Sequence, residues 1–387
     1  MKSILLKDII QKPISGEWGL EDLYGTGIPV LRTANFTNEG IINFENVVTR
    51  NISPSKLKGK LLQKGDILLE KSGGSDRQPV GRVVYFDGQA DKYGFNNFTS
   101  ALRISDLTMW NPKYIFYALY ANYHHGGTRK YENKTTGLHN LKVDLFIRSF
   151  SVPYATLIKQ NEIVKKLDLL NHLENVCEVQ LQKLDELIKS RFIEMFGHSD
   201  RPKVRLGECC LINPKKSSDI RLVDNDLMVS FVSMSDVSED GQIVTCNHKQ
   251  YESVKSGFTY FSENDVLFAK ITPCMENGKG GIAKGLLNGI GFGSTEFHVL
   301  RPIDQVSNSC WLYELTSFPQ FRQAAEINMT GSAGQRRVPA SFLANYKVSL
   351  PPISLQNQFA DFVHQLDKSK YREAIFLYLL EDVLHML

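Results

Sequence analysis

The chain is poor in the features that mark several large protein classes. Six cysteines (Cys177, Cys209, Cys210, Cys246, Cys274 and Cys310) are scattered over 387 residues, and none are spaced C-x-x-C. That spacing is the usual signature of a zinc or redox site, so the thiols read as reduced residues of a cytosolic protein. No apolar run approaches the roughly 18 residues that a membrane helix needs, and the N-terminal Met1-Lys2-Ser3-Ile4-Leu5-Leu6-Lys7-Asp8 meets charge before a signal-peptide core can form. The expectation is a soluble, cytoplasmic protein with no membrane partner. Charge of one sign is also scarce: 45 Lys plus Arg against 42 Asp plus Glu leave +3. Any polyanion surface must therefore come from local placement of cations. With 42% hydrophobic and 22% charged residues the composition is globular, which excludes a disordered chain. The length favours two domains.

Motifs of self-contained chemistry are missing too. No G-x-x-x-x-G-K-[ST] loop occurs, which removes that route to nucleotide hydrolysis. Ile212-Asn213-Pro214-Lys215 lacks the second proline and the aromatic residue of an amino-methyltransferase tetrapeptide. In Asp66-Ile67-Leu68-Leu69-Glu70-Lys71 the acid and the lysine are adjacent, and adjacent strand residues face opposite ways. Ala269 replaces Glu70 in the second copy of this stretch, so a shared carboxylate-metal site is excluded and a structural role is expected. The glycine clusters Gly278-Lys279-Gly280-Gly281 and Gly289-Ile290-Gly291-Phe292-Gly293 precede no helical pattern and read as loops and hairpin turns. His124-His125 and His139 have no clustered cysteine or carboxylate nearby in sequence and read as solvated. No catalytic residue, metal ligand or cofactor site is assigned.

What the chain does have is a repeat, with segments roughly 200 residues apart matching in order. Leu6-Lys7-Asp8-Ile9 answers Leu206-Gly207-Glu208-Cys209. Lys64-Gly65-Asp66-Ile67-Leu68-Leu69 answers Glu263-Asn264-Asp265-Val266-Leu267-Phe268, an apolar strand entered by a turn. Thr99 to Arg103 answers Thr295 to Arg301, and Thr135-Thr136-Gly137 answers Met329-Thr330-Gly331. Each unit closes on a strand ending in proline, Pro153 or Pro351-Pro352, before Gln160-Asn161-Glu162-Ile163 or Gln356-Asn357-Gln358-Phe359 opens a long helical pattern.

The helices carry apolar seams that alternate steps of four and three, the coiled-coil period. The first seam is Ile163, Leu167, Leu170, Cys177, Leu181, Leu184, Ile188 and Met195. The second is Phe359, Val363, Leu366, Leu377, Leu380, Leu384 and Leu387, interrupted by Lys370 and Glu373. About 35 residues make a helix about 50 Å long, more than one small domain needs. The expected fold class is α+β: two tandem mixed α/β domains separated by two long helices that form an antiparallel coiled coil. The expected bounds are 1–153 and 199–352 for the domains, 154–198 and 353–387 for the helices, with Gly197 at the first helix stop.

Polar, basic loops stand at matching places in both units. Lys71, Ser72, Arg77, Asn97, Arg129, Lys130, Lys134, Thr136, Gly137, His139 and Asn140 come from the first; Lys270, Thr272, Asn277, Lys279, Thr330, Gly331, Ser332, Gln335, Arg336 and Arg337 from the second. Lys, Arg, Ser and Thr suit phosphates, while Arg, Asn and Gln can pair with purine edges. Loops on a repeated scaffold are where binding residues concentrate.

Taken together, the duplicated Gly65-Asp66-Ile67-Leu68 and Asn264-Asp265-Val266-Leu267, the Thr-Gly loops, and the proline followed by Gln-Asn resemble the DNA-specificity subunit of type I restriction-modification enzymes over essentially the whole chain. The resemblance implies two target-recognition domains, each reading half of a bipartite site in double-stranded DNA. It also implies helices that act as a ruler and dock two methyltransferase subunits, restriction subunits that join the full complex, and no catalysis by this chain itself. The competing expectations are a protein-binding scaffold dimerised by the coiled coil, which predicts no salt-dependent duplex affinity, and a self-contained nuclease or methylase, which the missing motifs disfavour.

Overall fold

The computed structural model describes residues 2–76, 78–135, 138–197, 203–216, 219, 221–222, 226–243, 247–332 and 334–386. It divides into two compact units, Met1–Leu173 and Glu174–Leu387. The division falls inside the first long helix, Leu157–Phe196, and a second long helix, Ile353–Met386, follows the second unit's sheets.

Each unit is built around the same antiparallel sheet. In the first, strand Ile67–Glu70 lies between Thr99–Leu102 and Val83–Tyr85. In the second, Val266–Ala269 lies between Phe297–Pro302 and Gly280–Ile282. These central strands read as continuous apolar runs because both faces are covered. Ile67 and Leu69 join a core with Leu6, Trp110 and Phe146, while Leu68 joins another with Leu31, Phe86 and Phe95. Val266 and Phe268 face Leu206, Trp311, Phe321 and Phe359.

The repeated Gly-Asp and Asn-Asp dipeptides have a common physical cause. Gly65 and Asn264 take left-handed backbone angles, φ +96° and +67°, which glycine and asparagine tolerate best. The turn then aims the next side chain inward. Asp66 receives Arg103 Nε and Nη2 at 2.8 and 2.7 Å, and Asp265 receives Arg301 at the same two distances. Each aspartate is 1% exposed and also accepts a backbone N–H across its own turn, from Gln63 or Ser262.

The Gln-Asn pairs are clamps. Gln160 is fully buried; its Oε1 accepts the N–H of Asn111 at 2.8 Å, and its Nε2 donates to the carbonyls of Met109 and Ala155. Gln356 repeats this with Asn308, Val306 and Pro351. Asn161 and Asn357 accept from the side chains of Asn111 and Asn308. One amide thus satisfies three backbone groups that the junction between strand and helix leaves open. Gln356→Ala strands all three and is expected to cost about 2–3 kcal/mol, read as a lower urea midpoint, with Gln356→Glu recovering only part because it cannot donate.

Within the second unit the two long helices run antiparallel. Phe359 packs edge-on against Phe192 and Phe196, with centroids at 5.4 and 5.5 Å. Farther along, Lys370 pairs with Asp185, and Glu373 hydrogen-bonds the buried Cys177 thiol and, with burial, raises its pKa. The two polar breaks in the second seam therefore meet partners across the interface, as polar core positions do when they fix register. Ile188 is buried, and Ile163, Leu167, Leu170, Leu181, Leu184, Val363, Leu366 and Leu377 are half-buried. The side chains of Leu380 and Leu384, and Leu387 altogether, lie outside the description. Phe192 and Phe196, absent from the sequence seam, are buried in it beside Phe359.

The first helix has 40 residues and the second 34, against about 35 expected for each from sequence periodicity; the first stops before Gly197, whose N–H reaches the Ile193 carbonyl. The glycine cluster at 289–293 corrects the sequence reading. Only its start is a turn; Ile290–Gly293 is an inner strand, parallel to Met228–Val232 and antiparallel to Thr259–Ser262. A Cβ on Gly291 would fall 2.0 Å from the Phe261 ring, so glycine is there for close packing, not for turning.

Glu314, on helix Ser309–Ser317, adds a titratable group to this packing. Burial pushes its pKa up to about 7, against the pull of Lys370 and Lys189 and with the push of Asp185 and Asp367. An acid whose folded pKa is raised holds a proton that the unfolded chain gives up, so stability falls as pH rises from about 4.5 to about 7. Glu314→Gln is expected to match the parent at pH 5 and to exceed it by about 1–3 kcal/mol at pH 8. Urea titrations at both pH values check this, and an equal difference at the two would refute it.

Candidate nucleic-acid interface

The three candidate loops of each unit converge on one lysine. Lys71 leaves the central strand, its N–H donating to the Phe98 carbonyl at 2.8 Å and its own carbonyl accepting the N–H of Leu141. Lys270 does the same with Glu296 and Val338. In the first unit the loop after the central strand becomes strand Ser72–Gly74, which pairs with hairpin strand Leu138–Leu141, itself paired with Glu132–Thr135. In the second the same contacts shrink to the bridges Ile271 to Arg337 and Thr330 to Arg337.

This pairing resets one part of the sequence repeat. Asn133 faces Asn140 as Thr330 faces Arg337. Thr330 therefore occupies the place of Asn133 and not that of Thr136. Likewise Glu70 faces Thr99 as Ala269 faces Phe297, which makes Phe98 and Glu296 equivalent.

In the first unit, Lys71 Nζ donates to Ser15 Oγ at 2.9 Å, and burial, with Lys60 nearby, lowers its pKa. Ser72 is half-buried and backbone-paired with Asn140. Asn97, Arg129 and Lys130 are exposed; Arg129 reaches the Asp76 carbonyl at 3.4 Å, and Lys130 lies over the Tyr131 ring. The backbone of Lys134 pairs with that of His139. Arg77, Thr136 and Gly137 lie outside the described residues. His139 contradicts its solvated reading: it is buried, with Nδ1 2.9 Å from Glu132 and Nε2 3.6 Å from the exposed Asp76. Because Glu132 also accepts the N–H of Val80, His139 ties the hairpin to the loop and does not face outward. His124 and His125 are exposed as expected.

In the second unit five of the ten predicted residues hold side-chain partners within the protein. Thr272 donates to Glu276, Asn277 to Glu239 and Lys279 to the Met234 carbonyl. Arg336 lies 3.7 and 3.9 Å from Glu276 and Glu326. Arg337 binds Glu296 through Nε and Nη2, at 2.9 and 2.8 Å for the shortest contacts, and donates to the Gln335 carbonyl. Thr330, Gly331, Ser332 and Gln335 are exposed in the loop between, where Gly331 takes φ +122°. The adjacent arginines thus hold different acids, Arg336 near Glu276 and Glu326 and Arg337 on Glu296, and both side chains remain 41% exposed. The sequence reading placed Glu132 and Glu296 in candidate loops but did not single them out as site residues. Glu296 and Arg337 are 41 positions apart, and no local pattern joins them.

The Glu70 carboxylate is ion-paired with Arg82 at 3.4 Å, and burial raises its pKa; it is part of the core. No group of metal-ligating side chains occurs among the described residues, and no described helix is long and apolar enough to cross a membrane.

Comparison with known proteins agrees with this architecture. Residues 199–374 match the family model described as the type I restriction modification DNA specificity domain. The chain is 37% identical over 202 residues to the type I restriction enzyme EcoEI specificity subunit of Escherichia coli, covering 51% of this chain and 30% of that protein. It is 42% identical over 149 residues to the Escherichia coli EcoAI specificity subunit, covering 38% and 24%. The chain thus spans less than a third of the length of either relative. The fold is shared along the full chain with a type I restriction-modification S subunit from M. genitalium, at TM-score 0.55, 12% identity and 94% of that chain. It is shared equally with a chain of a type I R-M system solved for complex assembly and conformational transition, at TM-score 0.55, 16% identity and 95% coverage. The duplicated sheets and clamped helix starts are thus those of a chain whose second half, residues 199–374, is similar to the DNA specificity domain of type I restriction-modification systems, and whose whole fold is similar to that of their S subunits.

Proposed function

We propose that this chain is the sequence-reading, non-catalytic subunit of a cytoplasmic type I restriction-modification complex. Residues 1–153 and 199–352 each read one half of a split site in double-stranded DNA. Residues 154–198 and 353–387 space the readers and dock two methyltransferase subunits, and restriction subunits join the full assembly. The observation that carries this reading is the three-loop junction, built twice on the same Asp-Arg and Gln locks but lined by different side chains. A scaffold that binds one protein motif twice has no need to vary the lining while keeping the frame. Helices of 40 and 34 residues are about 60 and 51 Å long, the length of about 18 and 15 base pairs.

The test is to co-express the chain with its methyltransferase subunit and map adenine methylation on DNA. Methylation at a split motif, lost or respaced when Leu366→Glu disrupts the seam, is the expected result. A stable complex that methylates no defined sequence would instead favour a protein-binding scaffold. Duplex affinity should also fall about 10³-fold or more between 50 and 200 mM salt if six or more phosphates are contacted.

A further inference from the structure

We infer that Glu296 is a positioning residue that aims Arg337 at a guanine in the half-site read by the second unit. The inference rests on the reading of the chain as a DNA reader and adds to it a base and the pair of side chains that selects it. An arginine discriminates guanine when two of its N–H groups meet O6 and N7 together, which requires a guanidinium held in one plane. The second unit supplies that restraint. Glu296 is fixed by its backbone, whose carbonyl accepts the N–H of Lys270. Its carboxylate takes Nε at 2.9 and 3.2 Å and Nη2 at 2.8 Å, and the Gln335 carbonyl takes Nη1 at 3.1 Å. Three of the five guanidinium N–H groups are so engaged, leaving one on each terminal nitrogen, the spacing that guanine's O6 and N7 require. The side chain of Arg337 remains 41% exposed, so these donors are reachable.

The first unit shows what the arrangement is for by lacking it. At the place of Glu296 stands Phe98, 52% exposed, and at the place of Arg337 stands Asn140. The two backbone hydrogen bonds to the central lysine, Lys71 or Lys270, recur in both units. The first unit joins its loops by the Ser72–Gly74 strand pairing and the His139–Glu132 contact instead. The presence of the ion pair in one copy, at a side chain that stays 41% exposed, marks it as part of what differs between the two readers.

The experiment selects duplexes from a random pool with the full chain co-purified with its methyltransferase subunit, comparing the parent with Glu296→Gln, Arg337→Lys and Phe98→Ala. Glu296→Gln and Arg337→Lys are expected to lose preference at the same single G·C pair of one half-site by roughly 5- to 150-fold, with the other half-site and the affinity for random duplex unchanged. Phe98→Ala leaves that G·C pair as it was. Full retention of the preference in Glu296→Gln overturns the inference, as does a uniform rise in affinity for all duplexes, which would mean that Glu296 merely holds Arg337 away from DNA. Should Glu296→Gln fail to fold, Arg337→Lys decides alone. A parent complex that selects no sequence overturns the proposed function and this inference with it.

Discussion

Asp265→Ala is expected to destabilise the second unit by about 3–5 kcal/mol, because it removes one partner of a buried ion pair and leaves the other uncompensated. The carboxylate is 1% exposed, holds both Nε and Nη2 of Arg301, and closes its own turn through the Ser262 N–H. Arg301 is three-quarters buried with its guanidinium on that acid. Replacing both partners, as Asp265→Leu with Arg301→Met, should cost markedly less than either single change, since no charge is then stranded. Asp66 and Arg103 make the same pair in the first unit, and Asp66→Ala should act there alike. Denaturant unfolding of these variants, with the single changes Asp265→Leu and Arg301→Met beside the double, checks this. If the double variant is as unstable as Asp265→Ala, the loss comes from the turn and not from the stranded cation.

These locks also explain which parts of the sequence were legible. Gly65-Asp66 and Asn264-Asp265, and the two Gln-Asn pairs, stood out as matching marks because each is a local device: a left-handed turn followed by an inward acid, or one amide that serves three backbone groups. Such devices tolerate little substitution, so they persist in both copies while the surrounding residues diverge. The helical seams were legible for the same reason, since period alone places Ile188 and Phe359 inward. The Thr-Gly match was misleading. Thr136 and Thr330 share a residue type and a following glycine, yet the strand pairing sets Thr330 opposite Arg337 as Asn133 is set opposite Asn140, a register decided by hydrogen bonds between distant segments. His139 read as solvated because its partners, Glu132 and Asp76, become visible only when the hairpin folds onto the loop. The glycines of 290–293 looked like turns because the reasons for them, the Phe261 ring beside Gly291 and the Val232 carbonyl beside Gly293, lie on other strands.

The second large effect is expected at the helix pair. Phe359→Ala should lower the stability of the second unit by about 3–5 kcal/mol, the usual cost of emptying a fully buried aromatic site, and lower its melting temperature by roughly 10 °C. Phe359 is 0% exposed and meets both Phe192 and Phe196 edge-on, so the cavity opens where the first helix, the second helix and the domain core join. Phe192 and Phe196 lose their shared partner together, which means that Phe192→Ala combined with Phe359→Ala should cost less than the two singly summed. Phe376 lies on the same helix but is 41% exposed, and Phe376→Ala should change stability by less than about 0.5 kcal/mol. The pairing geometry adds a consequence that packing alone does not. Lys370 meets Asp185 and Glu373 meets Cys177 only when Phe359 sits between Phe192 and Phe196, because all three contacts share one register. Loosening the aromatic end should therefore weaken the polar contacts as well. In hydrogen exchange, amides near Cys177 and Glu373 should lose protection in Phe359→Ala although they lie several helical turns away; protection lost only near residue 359 would show that the two ends of the interface open independently.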